Sequence, residues 1–464
     1  MKTDNTASYK KGEMITVDIT DFGENGEGIG KTDAFTWFIK DTVIGDKVMA
    51  KVMKTKKSYG YARLESIIKE SPDRIEAKCH VARSCGGCTL QSLDYKAELR
   101  LKQNKVENHL KRIGGFDLSS VEIEEIIGME DPIRYRNKSQ FPFGRKNGKN
   151  ITGYFAGRTH SIVEFDDCII GIEENKTVLQ IVLDFMEKYS VEAYNEEDGS
   201  GIVRHVLIRK GFATGELMVC IVINANNLPH SDKLVESLRS TLGSDLKSVS
   251  ININKKNTNV ILGERTVTLY GNGYIEDYIG DVKFRISPQS FYQVNPVQTK
   301  KLYSKALEYA ALTGKETVWD MYCGIGTISL FLAKSAKFVY GVEIVDAAIQ
   351  NAIENAKINN IENVKFFVGK AEEIITGEYE NGNIRDIDVI VVDPPRKGLD
   401  KLAIDTMLKL LPKRIVYVSC DSSTLARDLK LLCEKEYELK KLTVVDQFAR
   451  SYHTESVVVM SRDI

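Results

Sequence analysis

Between residues 317 and 418 the chain repeats one alternation, a short β-branched or aromatic run followed by a stretch long enough for a helix. The runs are Thr317-Val318-Trp319, Phe338-Val339-Tyr340-Gly341-Val342, Val364-Lys365-Phe366-Phe367-Val368, Val389-Ile390-Val391-Val392 and Ile415-Val416-Tyr417-Val418. Helices are expected near 328–334, 347–359, 403–411 and 425–435. Strands joined in this way cannot pair as hairpins, so they lie parallel with helices on both faces. A last pair, 442–446 and 456–460, closes the sheet as a hairpin. Ligands of such open sheets sit beyond the carboxyl ends of the strands. Chemistry is therefore expected in the loop from Asp320 to Thr327, at Glu343, in Asp393-Pro394-Pro395-Arg396 and in Ser419-Cys420-Asp421.

The loop Asp320-Met321-Tyr322-Cys323-Gly324-Ile325-Gly326-Thr327 leaves the first strand, and its glycines let backbone approach a ligand before a helix begins. A Gly-x-Gly loop is common by itself. Glu343 at the end of the second strand adds the acid that bonds the ribose hydroxyls of an adenosine-containing cofactor. A dinucleotide would call for a third glycine beside its pyrophosphate, and that position, Leu330 or a neighbour, is filled. S-adenosylmethionine has no phosphate and fits better, which makes this the methyltransferase variant of the Rossmann plan. Cys420, delivered at the end of a buried strand, reads as a nucleophile; the plainer reading is a small buried residue, as expected of Cys220, Cys323 and Cys433. Glu455 in His453-Thr454-Glu455 is a base or, more plainly, a surface acid on the closing hairpin. His453 has no second ligand at metal spacing.

Upstream, residues 14 to 67 alternate short β-rich runs with a turn holding Gly23, Gly26, Gly28 and Gly30, the pattern of a small OB-type barrel. From Lys47 to Arg63 there are six basic residues and no acid, with Tyr59 and Tyr61 interleaved. Cations for phosphates beside aromatics for bases suit single-stranded RNA, and a solvated strand face is the plainer reading. Cys79-x5-Cys85-Gly86-Gly87-Cys88 follows, then a helix from about Asp94 to Arg112 ended by Gly114 and Gly115. With Cys168 these thiols make a four-sulfur set suited to zinc or to an iron–sulfur cluster, which spacing does not separate. Residues 132 to 288 read as α+β, with helices near 178–189 and 232–242 and a hairpin of Val203–Arg209 and Leu217–Asn224. Arg134, Arg136 and Lys138 fall on one face of an extended strand and suit an RNA groove or open solvent.

Length and charge narrow the class. The 464 residues divide as 8–67, 72–289 and 290–464, and 42% hydrophobic residues suffice for a core in each. With 64 Lys+Arg against 65 Asp+Glu the net charge is -1, so attraction to nucleic acid must be local. The amino terminus is polar and no run is long enough to span a bilayer. A cytoplasmic monomer without membrane contact or obligate protein partner is expected.

Taken together these pieces resemble the RNA uracil-5-methyltransferases, and residues 14 to 67 resemble the family's TRAM domain in the Asp21-Phe22-Gly23 turn and the glycine spacing. The branch most similar carries a TRAM domain and a [4Fe–4S] cluster and modifies large-subunit ribosomal RNA. The resemblance implies cluster ligands at Cys79, Cys85, Cys88 and Cys168, and cofactor contacts at Gln293 in Phe291-Tyr292-Gln293-Val294-Asn295 and at Tyr322, Glu343 and Asp393. It implies Cys420 as nucleophile and Glu455 as base, with 23S ribosomal RNA favoured over transfer RNA. Two departures stand out: Asp421-Ser422 where the family often has Asn-Pro, and Ala449-Arg450-Ser451 where it has Pro-His-Thr. The competing readings are an amino-directed adenine or guanine methyltransferase, which needs no thiol, and a non-catalytic RNA chaperone or assembly factor.

Overall fold

The computed structural model describes residues 9–462 except 34, 166, 383, 385–386 and 435. The polar stretch 1–8, Asp166 beside Cys168 and Lys435 at the expected end of a helix lie outside the described residues. The chain forms two compact units, one of residues 1–101, 154–163 and 448–452, the other of 102–153, 164–447 and 453–464.

The first unit contains a closed barrel of β1 (Met14–Phe22), β2 (Gly28–Thr32), β3 (Phe35–Ile39), β4 (Lys47–Thr55) and β5 (Tyr59–Lys69), in the order β1-β2-β3-β5-β4. Closure follows from alternation: Ile15, Val17 and Ile19 point inward with Val48, Ala50 and Val52, around a Trp37 with no exposed surface. Glycine is required where backbone meets this ring, since a Cβ on Gly60 would stand 2.4 Å from the Trp37 indole. Outside, Phe38, Tyr59 and Tyr61 cluster with centroids 5.6 to 5.9 Å apart. Lys54, Lys56 and Lys57 are exposed at the tip of the β4–β5 hairpin, whereas Lys47 and Arg63 lie beside Asp18 and Glu65. The departure at Ala449-Arg450-Ser451 also belongs here. Arg450 takes a left-handed φ of +66°, its carbonyl accepts the Thr89 and Leu90 amides, and its guanidinium lies against the carbonyl of Leu93 and the buried Glu98. The expected helix is α1 (Tyr95–His109), which widens into a π-turn over Leu110–Gly114 before Gly115 ends it at φ +74°.

In the second unit, β6 (Glu122–Ile123) is an edge strand, and β7 (Lys138–Lys146) forms a hairpin with β8 (Lys149–Phe155), whose last two residues belong to the first unit; the short β9 (Ile162–Glu164) begins in the first unit as well. After α2 (Glu174–Lys188) come β10 (Val203–Lys210), β11 (Leu217–Ile223), α3 (Ser231–Leu242), β12 (Leu246–Ile253) and β13 (Arg265–Gly271), pairing as β13-β12-β11-β10-β7-β8. The hairpin of β10 and β11 is where the sequence places it. Its side chains are buried on both faces, however, not on alternate ones. Arg134 is no part of an extended strand: its φ is +52°, and its guanidinium is held by Asp167 and by the carbonyls of Cys168 and Gly171. The groove expected for Arg134 therefore fails at that residue.

A small hairpin of β14 (Ile275–Ile279) and β15 (Val282–Ile286) leads to α4 (Pro296–Ala310), absent from the sequence reading. The doubly wound series then runs β16 (Thr317–Asp320), α5 (Thr327–Ala333), β17 (Phe338–Glu343), α6 (Asp346–Ile358), β18 (Val364–Val368), α7 (Ala371–Glu380), β19 (Val389–Val392), α8 (Lys401–Leu410), β20 (Arg414–Ser419) and α9 (Ser422–Leu432). Helix α7 is the second addition, its acidic AEEIITGEYE hiding a single buried stripe at Ala371 and Ile375. The closing hairpin is β21 (Glu438–Val445) with β22 (Glu455–Ser461), and the sheet order is β18-β17-β16-β19-β20-β22-β21-β6. Both faces are covered: Val318, Val339, Val391 and Val416 pack on one side, Trp319, Ile390, Ile415 and Tyr417 on the other.

Candidate active site

The parallel strands end at one edge: β16 at Asp320, β17 at Glu343, β19 just before Asp393 and β20 just before Cys420. Chain order reverses between β16 and β19, which opens a crevice at that point. Antiparallel β22 brings its first residue to the same place. The β20–β22 ladder ends at Ser419 opposite Ser456, so one further step of register sets Cys420 across from Glu455. Two side chains 35 positions apart in sequence thus become neighbours through one hairpin.

The neighbourhood is acidic and poorly hydrated. Burial first, then Glu455 and Asp393, push the Cys420 thiol up to about 12, with Arg396 pulling the other way and Asp421 adding little. Burial thus raises this thiol, where an activated nucleophile would be lowered. Burial and then Asp393 hold Glu455 well above the ordinary carboxylate range, and burial and then Asp320 raise Asp393 to about 7. Arg396 is the cation that favours the ionised form of both Cys420 and Glu455.

Asp421 has a separate job. Its carboxylate caps α9, accepting the amides of Ser423 and Thr424 at 3.0 Å and the Ser423 hydroxyl at 2.6 Å. Asparagine caps helices as well as aspartate, and proline suits the next position, so Asp421-Ser422 keeps the same helix start as Asn-Pro. The change frees a hydroxyl: Ser422 Oγ lies 2.8 Å from His109 Nδ1. His453 is exposed at the entry of β22, and desolvation by its neighbours followed by Arg396, Lys105 and Lys102 pushes its imidazole down to about 4.

Along the same edge the glycine loop suits a cofactor. Gly324 sits at φ +54° with nothing within 4 Å of where a Cβ would project, and Gly326 at φ +83° precedes α5. Asp320 is fully buried, accepts the Ser329 hydroxyl at 2.6 Å and is raised by burial to about 6, so it braces the loop from beneath. Tyr322 is half-buried above it. Glu343 accepts the Val345 amide at 3.0 Å, and Ile344 and Val345 beside it are 64% and 53% exposed, an apolar ledge next to the acid. Gln293 is buried, its carbonyl taking the Asn137 amide at 3.2 Å, and Asn295 caps α4. The sequence names Asp320 and Arg396 only as the ends of their loops, without a role of their own. Spacing offers no sign of their closeness to Asp393 and Glu455, which depends on strand order.

Cys79, Cys85, Cys88 and Cys168 are half-buried, Cys220 and Cys323 are buried as expected, and Cys433 is half-buried. Among the described residues no three His, Cys, Asp or Glu side chains stand together as a set able to hold a metal ion. In the loop of the first unit the Cys85 amide bonds the Val81 carbonyl, and the Gly87 amide donates to Cys85 Sγ at 3.4 Å. Cys168 belongs to the second unit, where its carbonyl holds Arg134.

A Rossmann-like sheet with this loop, this acid and a barrel for nucleic acid defines a class, the S-adenosylmethionine-dependent RNA methyltransferases. Within it the chain belongs to the tRNA (uracil-5-)-methyltransferase family, whose model matches residues 95–463, while a TRAM domain model matches 9–64. It is 49% identical over 453 residues to an uncharacterized RNA methyltransferase of Clostridium acetobutylicum, covering 98% of each chain. A relative from Halalkalibacterium halodurans, also described as an uncharacterized RNA methyltransferase, is 47% identical over 454 residues, again with 98% of each covered. Among solved structures it is similar to the Pyrococcus abyssi tRNA (uracil-54, C5)-methyltransferase in complex with S-adenosyl-L-homocysteine. That match has 27% identity and a TM-score of 0.76, covering 96% of this chain and 100% of that one. No described helix is long and apolar enough to cross a membrane.

Proposed function

We propose that the enzyme methylates carbon 5 of uridine in RNA through a transient bond between Cys420 and carbon 6, with 23S ribosomal RNA as the favoured substrate. The observation that carries the chemistry is the register that sets Cys420 across from Glu455 at the carboxyl edge. Carbon 5 of uracil is too weak a nucleophile to be alkylated directly, and a thiol added at carbon 6 activates it. Because burial keeps the resting thiol protonated, its proton passes to a neighbouring carboxylate as the Sγ–C6 bond forms and the C5=C6 pair moves into an enolate. S-adenosylmethionine, when bound against Gln293, Tyr322, Glu343 and Asp393, supplies an electrophilic methyl group on a sulfonium. After carbon 5 has accepted that methyl, the Glu455 carboxylate takes the proton left on carbon 5. The C5–H electron pair restores the double bond and expels Cys420 as thiolate. Asp393 hydrogen-bonds the uracil ring. Carbon 6 is out of reach in a stacked strand, so the uridine is unpaired or flipped.

Division of labour follows the segments read from sequence: 8–67 holds RNA on the Phe38, Tyr59 and Tyr61 face, 72–289 carries a [4Fe–4S] cluster on Cys79, Cys85, Cys88 and Cys168, and 290–464 does the chemistry, in a cytoplasmic monomer. Three thiols on one loop with an amide aimed at a sulfur support the cluster; iron and acid-labile sulfide in the purified protein, lost in Cys85→Ser, would bear it out, and stoichiometric zinc would refute it. Transfer RNA is the second reading, favoured by what the Pyrococcus abyssi protein acts on. Mapping 5-methyluridine at nucleoside resolution in RNA from cells with and without the gene separates the two. For the mechanism, the parent should form a covalent adduct with 5-fluorouridine RNA and Cys420→Ala should not. An adduct persisting in that variant removes Cys420 from its role.

A further inference from the structure

We propose that Arg136, Lys138 and Arg209 form an anion site, presented by Lys138, that grips a backbone phosphate of the RNA next to the target nucleotide. The inference rests on RNA being the substrate and deepens that reading.

Lys138 opens β7 and pairs in register with Arg209 of β10, so both side chains leave the same face of the sheet. Arg209 is 1% exposed, its guanidinium fixed on the carbonyls of Ser287 at 3.2 Å and Ser290 at 3.0 Å, and its Nε has no partner. Arg136 turns its Nε onto the Lys138 carbonyl at 3.0 Å. Among the described residues none of these three cations meets a carboxylate, although the cations on either side do: Arg134 on Asp167 and Lys210 on Glu174. The half-buried Lys138 ammonium has no hydrogen-bond partner among the described residues. Burial, then Arg209 and Arg136, push it down to about 7. Three cations held together without a counter-charge are costly in the free protein, and an anion removes the cost.

Position identifies the anion. Asn137, between Arg136 and Lys138, bonds the carbonyls of Gln293 and Val294, so the cations flank the segment that leads into the methyltransferase fold. S-adenosylmethionine carries an ammonium and a sulfonium against one carboxylate and is a net cation, which this triad repels. An RNA phosphodiester meets no such opposition, and a lysine point charge is a common phosphate contact.

The test uses the full-length holoenzyme with total RNA from cells lacking the gene. For Lys138→Met the KM for RNA should rise about tenfold and the slope of log affinity against log salt should become shallower by about one. Its KM for S-adenosylmethionine should stay within about twofold of the parent value, its melting temperature should be no lower, and Lys138→Arg should recover most of the RNA affinity. Unchanged RNA affinity and salt slope in Lys138→Met, or a loss confined to S-adenosylmethionine, would overturn the proposal; should Lys138→Met fold poorly, the same slope is read on Lys138→Gln. If the parent forms no 5-fluorouridine adduct but Lys138→Met still flattens the slope, the pyrimidine mechanism fails while the phosphate site stands.

Discussion

Two buried clusters of like charge lie in the second unit, and they relieve their repulsion in opposite ways. At the carboxyl edge of the methyltransferase sheet, burial raises Asp320, Asp393 and Glu455, with Asp320 adding to the shift of Asp393 and Asp393 to that of Glu455, so each keeps its proton to a higher pH than an ordinary carboxylate and releases it less readily. At the start of β7, burial lowers Arg209 only to about 10, whereas Lys138 falls to about 7 and is the cation that nears neutrality. The acidic cluster satisfies itself with protons and becomes a place where protons are exchanged near neutral pH. The basic cluster has no internal remedy and stays receptive to an anion. Catalysis and binding are thus expected to separate by mutation.

The separation is sharpest at Cys420. Cys420→Ser keeps the volume but loses the thiol, and kcat should fall by on the order of 10^4-fold or more with RNA affinity near the parent value, measured by methyl incorporation and by filter binding. Comparable loss of affinity would show that the two clusters act as one. Glu455→Gln is expected to lower turnover by about 10^2 to 10^4-fold and to trap a methylated protein–RNA adduct visible by mass spectrometry. Turnover at the parental rate would remove Glu455 from proton abstraction. In the opposite direction, Lys138→Met should leave kcat near parental and act through KM.

How far the sequence revealed this contrast depends on the kind of signal. β-Branched runs at helix-length intervals indicate the parallel sheet, because buried strands admit few other residues, and Glu343 and Asp393 could be placed at its edge because each directly follows a run, with Cys420 one residue beyond and Gly324 in the loop after the first. Helix α4 escaped although Asn295 followed by Pro296 is a helix-start signal, and α7 escaped because its acidic residues obscure the buried stripe at Ala371 and Ile375. Lys138 was seen, but in company with Arg134, which the fold occupies with Asp167. That distinction needs the left-handed turn at Arg134 and the β7–β10 register, neither of which leaves a mark in local composition. Likewise the upward shift of the Cys420 thiol arises from residues far away in sequence, whereas its neighbour Asp421, the obvious local suspect, is turned into a helix cap.

The proton-holding side of the contrast has a stability signature. Asp393 is raised from an ordinary 3.8 to about 7, so the folded state binds its proton more tightly than the unfolded chain between those values. Stability must then fall as pH rises through that window. Asp393→Asn should remove the dependence: its gain in melting temperature over the parent should grow from about pH 4 to about pH 7, amount to a few degrees, and stay level above. A gain independent of pH would mean that Asp393 is already ionised in the folded protein. The basic cluster should give no such slope over the acid range.

The smallest effect tests whether Asp421 belongs to the acidic cluster at all. If its carboxylate serves the amides of Ser423 and Thr424, Asp421→Asn should change stability by less than about 0.5 kcal/mol, because asparagine caps equally well, while Asp421→Ala should cost about 1 kcal/mol. The thiol should respond little to either, since burial, Glu455 and Asp393 act on it more strongly. Alkylation of Cys420 followed against pH reads this directly. A clear downward shift of its midpoint in Asp421→Asn would move Asp421 into the reacting group; an unchanged midpoint with the stated loss on Asp421→Ala leaves it as the residue that starts α9 and thereby fixes where β20 must end.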